Sequence, residues 1–263
     1  MAINPTEPKI ITMTNSFSKK GRSTFIHGML IVLLCWIFSL NLPGQSSLKT
    51  YVEFGENNVS PGLYMLPSAI MDLKLGKYTV GAGIQSELEN FNKFLLSGFS
   101  INAERSFSIK ETLFGIKGFY VLKGLSEIIH EANIGGLIEM KLHHFDMILG
   151  TNFRTISFTK KAVKEFRIEN YATDLKEAFN MIYSFEFSLR PVGNPWNLCL
   201  SITDIDDFLF NQETNPILKF GGYSRVSKKM RIDASISYKM AGITNIAFGY
   251  FGYTLKTGIT WNF

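Results

Sequence analysis

Residues 230–240 read MRIDASISYKM. Met230, Ile232, Ala234, Ile236, Tyr238 and Met240 fall on one parity; Arg231, Asp233, Ser235, Ser237 and Lys239 fall on the other. Successive side chains of a strand point to opposite faces, so this stretch is a strand with one apolar and one polar face. The pattern recurs at 145–155, where Phe145, Met147, Leu149 and Phe153 oppose Asp146, Asn152 and Arg154. It recurs again where Tyr183, Phe185, Phe187 and Leu189 oppose Ser184, Glu186, Ser188 and Arg190. Twelve such segments are expected, at 47–56, 66–75, 78–88, 94–104, 109–121, 132–142, 145–155, 180–190, 196–205, 215–225, 230–240 and 248–263.

The links alternate in length. Short ones fall at Gly76-Lys77, Arg105 to Ser108, His143-His144, Pro191 to Pro195 and Val226 to Lys229; long ones fall at 57–65, 89–93, 122–131, 156–179, 206–214 and 241–247. Tight turns on one side and longer loops on the other point to an all-β, transmembrane up-and-down antiparallel β-barrel of twelve strands. Segments of about ten to eleven residues also match the length that crosses a bilayer at a tilt. A β-sandwich would use shorter strands and mix hairpins with crossovers. Large aromatics near the strand ends fit interfacial girdles: Tyr78, Phe145, Trp196, Trp261 and Phe263 toward the turns, and Tyr120, Phe153, Tyr183 and Phe251 toward the loops.

The composition, 46% apolar and 19% charged over 263 residues, includes a contribution from the N-terminus. Gly28 to Leu42 is nearly continuous apolar sequence, preceded by Lys19, Lys20 and Arg22 and followed by Pro43-Gly44-Gln45. It is too short for a spanning helix and has the charge and flanks of a secretory signal peptide, so 1–44 is expected to be removed and 45–263 to form the barrel. Its loss leaves 23 basic against 21 acidic residues, a net charge of +2 in place of +5. A nearly neutral mature chain is no nucleic-acid binder. Cys199 would be its sole cysteine, so the fold must do without an internal disulfide.

The segment GYTLKTGITWNF, Gly252 to Phe263, places Tyr253, Leu255, Ile259, Trp261 and Phe263 on one face. With the signal peptide and the alternating hairpins, it resembles the C-terminal assembly signal of Gram-negative outer-membrane β-barrel proteins. That resemblance covers essentially the whole chain. It implies location in the outer membrane, contact with outer-membrane lipid, recognition by the barrel-assembly machinery and closure of this last strand on the first. It implies nothing about cargo.

Polar parities directed inward would carry Lys117, Glu139, Lys141, Asn152, Arg154, Glu186, Arg190, Asp233, Lys239 and Lys256. Interleaved charge of this kind makes either cross-strand ion pairs or a selectivity lining for small polar solutes. Leu96, Leu113, Phe119, Leu137 and Ile148 are also expected inside, where they would plug the lumen or make it partly apolar. Residues 109–121 are ambiguous, because their apolar side chains fall on both faces.

Catalytic groups are scarce. His130, with Ser126, Glu127 and Glu131 nearby, is the candidate cluster for an interfacial hydrolase. His143 and His144 are expected to point to opposite faces, no cysteine cluster exists, and no metal or cofactor is expected. The loop from Asp204 to Pro216 is acidic but lacks the glycine and spacing of an EF-hand, so it reads as a solvated loop. Residues 156–179 read as two short helical turns, with Tyr171, Leu175 and Phe179 four apart. Three functions are expected to compete: a small channel or transporter for small polar solutes, a non-conducting accessory barrel partnering an envelope complex, and an outer-membrane hydrolase.

Overall fold

The computed structural model describes residues 46–56, 63–89, 93–124, 129–167, 174–189, 194–206, 209–210, 216–239 and 252–263. The expected signal peptide 1–44, Ser126, Glu127, Tyr171, Arg190 and Phe251 lie outside them. The strands are β1 Ser47–Glu56, β2 Leu63–Leu75, β3 Tyr78–Glu89, β4 Lys93–Ile109, β5 Thr112–Lys123, β6 Ile129–Lys141 and β7 Phe145–Phe158. After them come β8 Asp174–Leu189, β9 Trp196–Thr203, the two-residue β10 Ile205–Asp206 and β11 Leu209–Phe210, β12 Ile217–Arg225, β13 Met230–Lys239 and β14 Gly252–Asn262.

All of them except β10 and β11 close into one antiparallel barrel of twelve strands. The seam joins the first strand to the last, from Ser47 opposite Asn262 to Gly55 opposite Thr254. Reciprocal hydrogen bonds between Ser46 and Phe263, at 3.1 and 3.0 Å, continue it past the strand ends. Closure leaves no strand edge along the seam, which is the condition for backbone in hydrocarbon.

The outer face is apolar all the way round. Ile116, Ile138, Leu149, Phe187, Leu200 and Ile236 are all exposed, and each takes its place through the strict alternation of its strand. A continuous belt of this kind is unstable in water and matches a bilayer. Among the described residues no helix is long and apolar enough to cross a membrane; the strands cross instead.

Several boundaries differ from the sequence reading. Strand β4 runs on to Ile109, and the turn is Lys110-Glu111, with Lys110 at φ +52°. Arg105 was expected in a turn but continues the outward parity of Ala103 and Phe107, with its guanidinium 5.8 Å from the centre of the Tyr78 ring. The stretch 156–179 is not two helical turns. β7 continues to Phe158, a single helix α1 spans Lys160–Phe166 behind the Thr159 cap, and β8 has begun by Asp174. Leu175 and Phe179 therefore lie on a strand: the odd-numbered apolar run from Phe179 to Leu189 is one alternation, which a four-residue spacing mimics.

Leu96 faces outward, against expectation. Between β3 and β4 the register shifts at Gln85/Ser86, so Gln85 pairs with Gly98 while Ser86 pairs with Leu96. Ser97 is the extra residue, and one inserted residue turns everything beyond it to the other face.

Candidate functional site

Inward parities divide the lumen into two levels. The short-link end carries both termini of the barrel and is called the turn end; the opposite end is the loop end.

At the loop end the charged side chains are sealed. Lys239 of β13 donates to Glu53 of β1 at 2.5 Å, with 3% and 4% of their side chains exposed. Tyr64 donates to the same carboxylate at 2.9 Å. The Tyr64 ring lies over Gly55, where a Cβ would sit 2.6 Å from its oxygen, so glycine is what lets the ring lie flat. On the other side of the barrel, Arg154 of β7 donates to Glu131 of β6 at 2.6 Å, with 3% and 1% exposed. Asn133 donates to Glu131 at 2.7 Å, and Asn152 donates to Asn133 at 2.6 Å. Carboxylates this deeply buried are held by the cations and amides beside them, since an unpaired one would be expelled or neutralised.

Below these groups lies an apolar layer. Ile70, Phe119, Val121, Leu137 and Ile182, from four strands, pack with Tyr51, Ile148 and Ile205. Apolar residues on both faces of β5 are thereby explained: Phe114 and Tyr120 face lipid, while Leu113, Phe119 and Val121 face the lumen. Ile205 comes from the β10–β11 hairpin, which the segment after β9 forms by turning back against the barrel wall. Asp204 anchors that turn, accepting the Tyr183 amide on Oδ1 at 2.7 Å while its own amide donates to the Tyr183 carbonyl at 3.1 Å. The start of the acidic segment, expected to be a solvated loop, is thus buried and structural; Asp207 and Glu213 lie outside the described residues.

Toward the turn end the lumen is hollow and wet. Two adjoining cavities of about 480 and 370 Å³ share Lys49, Lys141 and Lys219 in their walls. Lys49 pairs with Asp72 at 3.1 Å and Lys141 with Glu139 at 3.0 Å, the lysines being 43% and 41% exposed. Arg231 pairs with Asp233 at 2.9 Å and covers the Tyr223 ring; the Lys256 ammonium lies 3.8 Å above the centre of Tyr51. Lys117, Glu104, Asp146, Glu186 and Cys199 also line the two cavities. The Asn197 carboxamide oxygen, on a side chain 4% exposed, has no hydrogen-bond partner among the described residues.

The inward residues expected from the sequence are therefore divided between levels. Asn152, Arg154 and Lys239 belong to the sealed half; Lys117, Glu139, Lys141, Glu186, Asp233 and Lys256 belong to the wet half. Sequence reasoning missed Glu53, Tyr64 and Glu131 as lumen groups, and Lys49, Asp72 and Lys219 as chamber groups. Parity within the segments expected at 47–56, 66–75 and 215–225 would have found Lys49, Glu53, Asp72 and Lys219, whereas Tyr64 and Glu131 lie on strands that begin earlier than the expected 66–75 and 132–142. Tyr253, Leu255, Ile259 and Trp261 are all exposed on the outer face of β14.

The histidine cluster divides as well. Glu131 points inward to Arg154, while His130 is on the opposite parity, its Nε2 3.2 Å from the Ser157 hydroxyl. Strand alternation thus separates His130 from that carboxylate. His143 and His144, expected on opposite faces, sit in a bend with their rings edge to face at 4.2 Å. Among the described residues no group of three metal-ligating side chains occurs.

No family model matches the chain, and no curated protein matches it in sequence. Solved structures similar to it are outer-membrane barrels. An outer-membrane channel from Pseudomonas putida F1 matches with a TM-score of 0.49 at 8% identity, over 84% of this chain and 96% of that one. The translocator domain of the autotransporter NalP from Neisseria meningitidis matches at 0.43 and 11%, over 92% and 98%. Outer membrane phospholipase A from Escherichia coli matches at 0.44 and 9%, over 86% and 96%. The barrel itself rests on the registers and belt described above.

Proposed function

We propose that this chain is a Gram-negative outer-membrane barrel with its turn end toward the periplasm. In the state described it is a non-conducting envelope barrel that presents a blind polar chamber to the periplasmic side. The contrast between the two lumen levels carries this reading. Ion pairs at the turn end are solvated, whereas those at the loop end are dry and lie beyond a packed apolar layer. A small polar solute could reach the chamber; to pass further it would have to displace that layer and separate buried ion pairs, at a cost of several kcal/mol. The polar chamber and the turns around it are the surfaces open to an envelope partner.

One observation favours a gated channel as a second reading. Ile205, part of the apolar layer, belongs to the β10–β11 hairpin rather than to the barrel wall. Displacing a hairpin that is not part of the wall would open that layer without breaking the strand pairing of the barrel.

Planar-bilayer recordings distinguish the two. The refolded barrel is expected to be electrically silent, and steady unitary openings would refute the closed reading. Appearance of conductance only when residues 205–210 are replaced by a short glycine-serine link would establish the gated channel instead. Cys199 supplies a parallel measurement, since no other cysteine follows residue 44. A membrane-impermeant maleimide is expected to reach it from the turn side alone.

A further inference from the structure

The charges of the wet chamber are segregated. On the contiguous arc β12–β13–β14–β1 the described residues of the lining carry Lys219, Arg231, Lys256 and Lys49 against Asp233, a net +3 among them. On the arc from β2 to β8 the described residues of the lining carry Asp72, Glu104, Glu139, Asp146 and Glu186 against Lys117 and Lys141, a net −3 among them. Between the arcs stands the uncharged strand β9, with Asn197 and Cys199. The ion pairs resolved in the chamber, Lys49–Asp72, Lys141–Glu139 and Arg231–Asp233, each join residues on one strand or on neighbouring strands. They leave the two walls opposed across the cavity.

Opposed walls of opposite sign in a narrow chamber with apolar surroundings produce a field directed across the lumen, concentrated there because the belt and the apolar layer exclude water. A monovalent anion or cation gains at one wall and loses at the other. A molecule carrying both charges a few bonds apart gains at both. The volumes, about 480 and 370 Å³, lie in the ordinary range of small-ligand sites.

We propose that this chamber is a binding site for small zwitterions, amino acids or short peptides. The ligand's carboxylate is directed to the Lys219–Arg231–Lys256 wall and its ammonium to the Glu104–Glu139–Glu186 wall. The unpartnered carboxamide oxygen of Asn197 is an acceptor in the same chamber for a peptide N–H. The proposal rests on the reading of the chamber as open at the turn end and closed above.

Isothermal titration of the full refolded barrel in detergent micelles, with trialanine, N-acetyl-trialanine and trialanine amide, tests it. Trialanine is expected to bind at least tenfold more tightly than either end-blocked form, with affinity falling as salt is raised. Lys219→Gln and Glu104→Gln are each expected to weaken trialanine severalfold while leaving the urea-unfolding midpoint unchanged. The ligand comparison needs no variant, so it stands even if one misfolds. Equal binding of trialanine and N-acetyl-trialanine would mean a plain anion site and overturn the proposal. Equal binding of trialanine and its amide would mean a cation site and overturn it too, as would no binding at all. If Cys199 is labelled from the turn side and the barrel is silent, such a result leaves the closed-chamber reading intact. Steady conductance would remove that reading whatever trialanine does.

Discussion

The Arg154–Glu131 pair measures whether the loop half of the lumen is truly dry. Its side chains are 3% and 1% exposed, 2.6 Å apart, and Glu131 also accepts from Asn133 at 2.7 Å. In Glu131→Leu the guanidinium stays buried without its counter-charge and the Asn133 amide loses its acceptor. Breaking a buried pair from one side costs about 3–5 kcal/mol. At about 1.4 kcal/mol per factor of ten, that is a loss of roughly two to three and a half orders of magnitude in the folding constant.

The double variant Glu131→Leu/Arg154→Met behaves differently. Arg154 Nε and Nη1 already lack partners among the described residues, so removing both charges leaves the Asn133 amide as the group that loses its partner. Replacing a buried pair by apolar residues of similar size is close to neutral, and the double variant is expected to recover most of the loss. Equilibrium urea unfolding in phospholipid vesicles reads both, reported by the lipid-facing Trp196 and Trp261. A single-variant cost below about 1 kcal/mol, the range of solvent-exposed pairs, would mean that water reaches the pair. The sealed half, and the non-conducting reading with it, would then fall.

Two further outcomes are expected. Ile138→Lys on the outer face, at a position 60% exposed, is expected to cost about 2–4 kcal/mol in vesicles if it lies near the bilayer midplane; Ser235→Lys, on the lumen face of β13, is expected to cost much less, and equal costs would contradict the assigned faces. Deleting Phe263 removes the hydrogen bonds to Ser46 and the last residue of the proposed assembly signal. Loss of the heat-modifiable folded band on gels is expected in cells, and normal assembly would count against recognition of Tyr253, Leu255, Ile259, Trp261 and Phe263 by the assembly machinery.

Much of the barrel could be read from alternation because a bilayer and a lumen impose a strict period of two. In β13 that parity alone placed Asp233 and Lys239 inside and Ile232 and Ile236 outside. It failed where a local event interrupts or mimics the period. Ser97 in the bulge reversed Leu96, and the true turn at Lys110 followed an Arg105 that looked like one.

The sequence by itself determined the class of this protein: strand number, apolar belt and many of the inward residues follow from periodicity, which is local. The tertiary structure alone decided what those inward residues do. Arg154 and Lys117 are both inward cations in the sequence, yet one is sealed against Glu131 and the other lines a wet chamber. That difference depends on which strands face each other across the lumen and on a hairpin that packs from a loop, neither of which any local pattern encodes. The division of the charges into opposed walls arises in the same way, from the order of strands around a closed ring.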